Sequence, residues 1–286
     1  MRARYLTIGG LQTRLLEGGQ GGSPLFLLHA VGLTADTWHR NIDALSERGL
    51  VVAPDMPGHG FTDALSELAE APQLTWARHV IALADALGAQ RFHVAGSSFS
   101  GLVAALVALD APERVASLTV VGSGTLFHAA EGRERALRAA FANGSRAISE
   151  ASVEACRTRL QGICYDPESV DDAMLLVQAS AYALPDRLSA YTEVIEGAIS
   201  SGEEAQALHR LEEIKVPTLV VTGQQDVRAS VESHVAGVTR IRGARLHVYD
   251  ACGHLPYLEH PTRFNRDLGE FLQSIKTSER QDHVHA

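Results

Sequence analysis

Arg91-Phe92-His93-Val94-Ala95-Gly96-Ser97-Ser98-Phe99-Ser100-Gly101-Leu102-Val103-Ala104-Ala105 is the stretch on which the reading of this chain turns. It reads as a buried strand, a tight turn and a helix in direct succession. Such a turn holds its central residue in a strained backbone conformation and needs small residues two before and two after it. Of the three serines only Ser98 qualifies, between Gly96 and Ser100; Ser97 has Phe99 at the second following position and Ser100 has Leu102. The competing reading is a serine-rich turn that merely caps the helix.

Outward from this stretch the pattern repeats. Short apolar runs at 25–28, 50–53, 115–121, 218–221 and 246–249 alternate with amphipathic stretches such as 74–87, 101–109 and 264–275. That is the signature of a parallel sheet covered by helices on both faces, with ligands at the carboxyl ends of the strands. Two alternating segments at 4–8 and 11–16, split by Gly9-Gly10, predict an antiparallel hairpin at the edge. Between 127 and 208 the strand signal gives way to helix-favouring residues, interrupted by Pro167 and Pro185. The expected organisation is a core of 1–126 and 209–276, a helical cap of 127–208, and a polar, aperiodic, frayed tail of 277–286.

Composition narrows the function. The 286 residues are 45% hydrophobic and 21% charged, so a sizeable core is affordable. The formal charge of -9 argues against nucleic acid, which needs a clustered basic face. With no apolar leader after Met1 and no apolar run of spanning length, the expectation is a cytoplasmic protein with no membrane partner. Cys156, Cys164 and Cys252 lack metal-ligand spacing and read as free thiols. No metal and no cofactor are expected; a homodimer is a generic expectation only.

Three further motifs carry a resemblance. Leu27-Leu28-His29-Ala30-Val31-Gly32, followed by Trp38, is similar to an oxyanion segment; Asp55-Met56-Pro57-Gly58-His59-Gly60-Phe61-Thr62 is similar to an Asp-x-x-Gly-x-Gly-x-Ser loop; and Gly253-His254 with Glu259 and Pro261 fits a Gly-His-x-x-x-x-Glu-x-Pro loop. With the Ser98 turn they resemble, in order, the serine branch of the α/β-hydrolase superfamily, from Ile8 to Leu272. That implies an α/β-hydrolase fold with the cap inserted after the sixth strand. It also implies Ser98 as nucleophile, His254 as general base, Asp226 at the end of Thr222-Gly223-Gln224-Gln225-Asp226 as the orienting acid, and N–H donors from Val31 and Phe99. Asp250 is a rival acid. Ala30 stands where glycine is usual, so a positive φ there would strain the oxyanion donor.

An apolar pocket under the cap is expected to be lined by Trp38, Phe127, Leu255 and Tyr257. Within the family the resemblance runs to carboxylesterases, enol-lactonases and hydrolases of meta-ring-cleavage products, which cut a carbon–carbon bond beside a ketone. Ser97 stands where that last group implies asparagine, and Gln178 near where it implies an arginine for a substrate carboxylate, so ester or lactone cleavage of a small molecule leads. Carbon–carbon cleavage is second. A non-catalytic small-molecule receptor is the alternative of another class.

Overall fold

A computed structural model describes residues 1–65 and 68–284, with side chains up to residue 275. Eight strands form one sheet: β1 Arg2–Ile8, β2 Leu11–Gly18, β3 Leu25–Leu28, β4 Val51–Pro54, β5 Phe92–Ser97, β6 Val115–Val121, β7 Thr218–Gly223 and β8 Arg245–Tyr249. Their order is β1-β2-β4-β3-β5-β6-β7-β8. The β1–β2 hairpin turns at Gly9 and Gly10, both at positive φ, and β2 pairs antiparallel with β4; the remaining pairs are parallel. The central strands are apolar on both faces because helices cover both.

The helices are α1 His39–Ser46, α2 Pro72–Ala86, α3 Phe99–Asp110, α4 Gly124–Phe127, α5 Ala130–Glu150, α6 Val153–Gln161, α7 Asp172–Tyr182, α8 Arg187–Ser200, α9 Val231–Val238, α10 Pro256–Glu259 and α11 Pro261–Val284. This is the α/β-hydrolase fold, with α5 to α8 forming the helical cap between β6 and β7. Pro167 opens a short 3₁₀ turn and Pro185 separates α7 from α8, so both prolines interrupt helix as expected. A further break falls at Ala151, at φ 46°, after which the Ser152 hydroxyl accepts the Ala155 N–H and starts α6. Helix α11 runs through part of the stretch expected to fray; residues 285 and 286 lie outside the described residues.

One buried carboxylate ties the loops on this side of the sheet. Asp55, fully buried after β4, accepts the N–H of Ala35 at 2.7 Å and of Phe61 at 2.9 Å, and pairs with Arg14 at 3.0 Å. Gly60 sits at φ 56°, and a Cβ there would fall 2.2 Å from the Asp55 carboxyl carbon, so only glycine lets this loop close. Asp55→Ala leaves two main-chain donors without an acceptor and Arg14 with Asp36 as its remaining carboxylate. A donor left unmade in this way typically costs about 1–3 kcal/mol, and urea unfolding of the variant is expected to show a loss of that order.

Candidate active site

Ser98 sits between β5 and α3 at φ 55°, ψ -117°, a conformation that L residues rarely adopt. It is over-determined. Its N–H donates to Val121 O at 2.8 Å, while its carbonyl accepts the Gly101 N–H at 2.9 Å and the Ser123 hydroxyl at 2.6 Å. A Cβ on Gly96 would lie 1.9 Å from Ser100 O, which explains the glycine before the turn. Ser100 after it is more than small: its hydroxyl donates to His29 O at 2.6 Å, binding the turn to the end of β3.

Asp226 and His254 are brought together from the loops after β7 and β8. His254 Nδ1 lies 2.8 and 3.0 Å from the two carboxylate oxygens of Asp226, whose side chain is wholly buried. Asp226 also accepts the N–H of Arg228 at 2.7 Å and of Ala229 at 3.1 Å, which fixes the carboxylate. With Nδ1–H directed at Asp226, Nε2 is left as the basic nitrogen toward the cavity that Ser98 also lines. Asp250, the rival acid, is exposed at the end of β8. Room for the pair comes from Gly122 at the end of β6, at φ 55°, where a Cβ would stand 2.9 Å from His254 O and 3.3 Å from Asp226 Oδ2.

The His254 loop is anchored to the cap. Glu259 accepts the N–H groups of Gly253 and Leu255 on one side and of Tyr165 and Asp166 on the other, and His254 N–H donates to Ile163 O at 2.8 Å.

At the expected oxyanion segment the strain foreseen at Ala30 does not occur. Among the described residues the non-glycine positions at positive φ are Ser98, Ala151, Asp186 and Ala251, and this turn takes its positive φ at Gly32, 75°. Ala30 O accepts the Leu33 N–H at 3.0 Å and lies 2.9 Å from His29 Nδ1. Because His29 Nε2 accepts the Met56 N–H at 2.9 Å, its Nδ1 carries the proton and donates to Ala30 O. Burial lowers the His29 pKa and keeps the ring neutral. The other expected donor, Phe99, opens α3, where the first N–H groups have no intrahelical acceptor.

Ser98, His254, Val31 and Phe99 line one cavity with about 50 Å³ of space for water. Its walls correct the expected lining. Trp38 is fully buried and stacks on Tyr257 at 3.6 Å, both packing against Phe264, and Leu255 is fully buried beside them; none of the three lines the cavity. Phe127 borders an adjoining groove with His128 and Arg228. Apolar character marked these residues, but packing against Phe264 of α11 claimed Trp38 and Tyr257 for the core.

The cavity instead holds two arginines that sequence reasoning missed, Arg159 from α6 and Arg228 from the loop after Asp226. Arg159 is 6% exposed. Arg228 Nη1 is buried without a hydrogen-bond partner, and burial, with Arg159 adding to it, pulls the Arg228 pKa below its ordinary value against the charges of Tyr191 and Asp226. His234 was also missed: it accepts the Ser123 N–H at 3.1 Å and so steadies the residue that bonds to Ser98 O. An arginine in the fourth position of a cap-helix sequence such as Cys156-Arg157-Thr158-Arg159 gives no signal until the helix is docked.

A family described as alpha/beta hydrolase fold matches residues 23–261. The chain is 30% identical over 272 residues to a 2-hydroxy-6-oxononadienedioate/2-hydroxy-6-oxononatrienedioate hydrolase of Burkholderia vietnamiensis, covering 92% of this chain and 91% of that one. It is 31% identical over 264 residues to a 2-hydroxy-6-oxo-6-phenylhexa-2,4-dienoate hydrolase of Comamonas testosteroni, covering 90% of each. Among solved structures, a meta-cleavage product hydrolase from Pseudomonas fluorescens IP01 superposes with a TM-score of 0.79 at 29% identity, over 95% of this chain and 97% of that one.

Gly122→Ala tests the site's geometry. Misplacement of a reacting group by about 1 Å costs on the order of 10²-fold in rate, so the variant is expected to react with a fluorophosphonate about that much more slowly than wild type while keeping its fold by circular dichroism.

Proposed function

Because the chain belongs to the α/β-hydrolase fold family and is a hydrolase, we propose that it cleaves a carbon–carbon bond beside a ketone in a small carboxylate-bearing substrate, with Ser98 as nucleophile, His254 as general base and Asp226 orienting the histidine. The observation that carries this reading is the pair of guanidinium groups in the cavity of Ser98 and His254, one with a bare buried Nη1. A buried donor without a partner is costly, and an under-compensated cation is more so; an anionic ligand group relieves both.

The chemistry asks for that charge. In a 2-hydroxy-6-oxo-dienoate, the substrate type in the relatives' names, a proton moves from the 2-hydroxyl to C5, leaving a ketone at C2 conjugated with a double bond. Ser98 then adds to the C6 ketone as its proton passes to His254. Breaking the C5–C6 bond sends its electron pair through the conjugated chain to the C2 oxygen, next to the carboxylate, and leaves an acyl group on Ser98. The C2 oxygen takes the proton held by His254, and water activated by the neutral histidine then releases the second acid. Negative charge therefore grows at the carboxylate end, where Arg228 is suited to meet it, and at the C6 oxygen, where the N–H groups of Val31 and Phe99 would stabilise it.

Ser97 and Gln178 favour a second reading, cleavage of a carboxylic ester or lactone by the same acyl-enzyme route. An anion is also what Arg228 prefers there.

Turnover of 2-hydroxy-6-oxo-hexa-2,4-dienoates, followed by loss of their dienol absorbance, is to be compared with turnover of phenyl esters and lactones. Wild type is expected to prefer the dienoates. Ser98→Ala is expected to lose at least about 10³-fold, and Arg228→Gln to raise the KM of the acidic substrate by about tenfold or more. Preference for esters moves the assignment to the second reading. Full activity in Ser98→Ala refutes both, and tight binding without turnover of any substrate points to a receptor.

A further inference from the structure

Arg159 combines features that its place in the cavity wall does not explain. It is buried, yet it bonds to no carboxylate among the described residues: its guanidinium donates from Nη1 to Gly32 O at 3.0 Å and to the Tyr182 hydroxyl, and from Nη2 to Val31 O at 3.2 Å. Tyr182 in turn donates to Gly32 O at 2.6 Å. The guanidinium carbon lies 5.6 Å from the ring centroid of Tyr182 and 5.5 Å from that of Tyr191, so the charge rests on carbonyl dipoles and aromatic faces. It also lies against Gly32 so closely that a Cβ there would stand 2.3 Å from Nη2 and 2.7 Å from the Tyr191 ring.

These bonds complete a set. In a trans peptide the C=O and N–H point in opposite directions, so a held carbonyl aims the following N–H. Ala30 O, held by Leu33 and His29, aims the Val31 N–H. The next two carbonyls of the turn are held from the cap, by Arg159 and Tyr182 on α6 and α7. A turn whose positive φ falls on a glycine has little intrinsic stiffness, since glycine occupies both signs of φ.

We propose that Arg159, with Tyr182, is a positioning residue for the oxyanion hole: the cap reaches down and fixes the turn that presents the Val31 N–H to the substrate oxygen. The proposal rests on the Ser98 reading above but not on which bond is cleaved. It makes the oxyanion hole a joint product of core and cap, assembled when the guanidinium seats on the carbonyls of Val31 and Gly32.

The test uses probes without negative charge, a fluorophosphonate and phenyl acetate, on the full-length protein and its Arg159→Met, Arg159→Lys and Tyr182→Phe variants. Arg159→Met is expected to slow phosphonylation and lower kcat for phenyl acetate by on the order of 10²-fold, the effect of losing one oxyanion donor, with KM nearly unchanged. Arg159→Lys is expected to recover part of both rates. Wild-type rates in folded Arg159→Met overturn the proposal. So does a defect confined to the KM of a carboxylate-bearing substrate, which would make Arg159 a substrate anchor. Should Arg159→Met not fold, Tyr182→Phe decides: a loss of about tenfold with KM unchanged supports the clamp, and a wild-type rate overturns it. A wild-type protein inert to the phosphonate removes the Ser98 reading and the proposal together; a reactive one with unaffected variants removes the proposal alone.

Discussion

The backbone of Ser98 is the constraint around which the rest is arranged. A non-glycine residue at φ 55°, ψ -117° carries strain of about 1–3 kcal/mol and persists only where its surroundings leave no alternative. Here β6 takes its N–H, α3 and the Ser123 hydroxyl take its carbonyl, and Gly96 lets the backbone of Ser100 pass beneath it. Each of these requires a neighbour in turn: Ser123 is steadied by His234, and Ser100 by the carbonyl of His29. Strain at one residue thus propagates into a requirement on four elements, and it holds the hydroxyl at the carboxyl edge of the sheet, where the loops bearing Asp226 and His254 also arrive.

What was legible in the sequence is what chain-local chemistry specifies. The sheet, its antiparallel hairpin and the helical insertion follow from apolar runs, the Gly9-Gly10 turn and the absence of strand signal between 127 and 208. Ser98, Asp226 and His254 sit at strand ends within short motifs, so their neighbourhood could be read without knowing how helices dock. The walls of the cavity could not. Trp38, Leu255 and Tyr257 are as apolar as any pocket residue, and only the folded structure, with Trp38 and Tyr257 packed against Phe264 and Leu255 wholly buried, shows that they face inward to the core. Arg159 and Arg228 lie on a cap helix and a loop whose orientations are tertiary outcomes.

The consequence for chemistry is a site of mixed character. Its floor is the apolar end of a sheet, and its walls carry two positive charges, Arg159 from the cap and Arg228 from the core, with little counter-charge: Asp226 is committed to His254 and to two backbone donors. In a medium of low polarity such charges act over longer distances than in water.

The seam at Glu259 bears on how such proteins diversify. One carboxylate receives main-chain donors from the histidine loop and from residues 165–166 of the cap, and Ile163 offers its carbonyl to the histidine itself. The cap is therefore not an interchangeable module resting on a finished enzyme. A recombinant that brings in a foreign helical insertion inherits a His254 loop that has lost half its moorings, unless the incoming segment reproduces the backbone course of 163–166. Variation is freer on the faces of α7 and α8 turned away from Tyr182 and Tyr191, which can change without touching that junction.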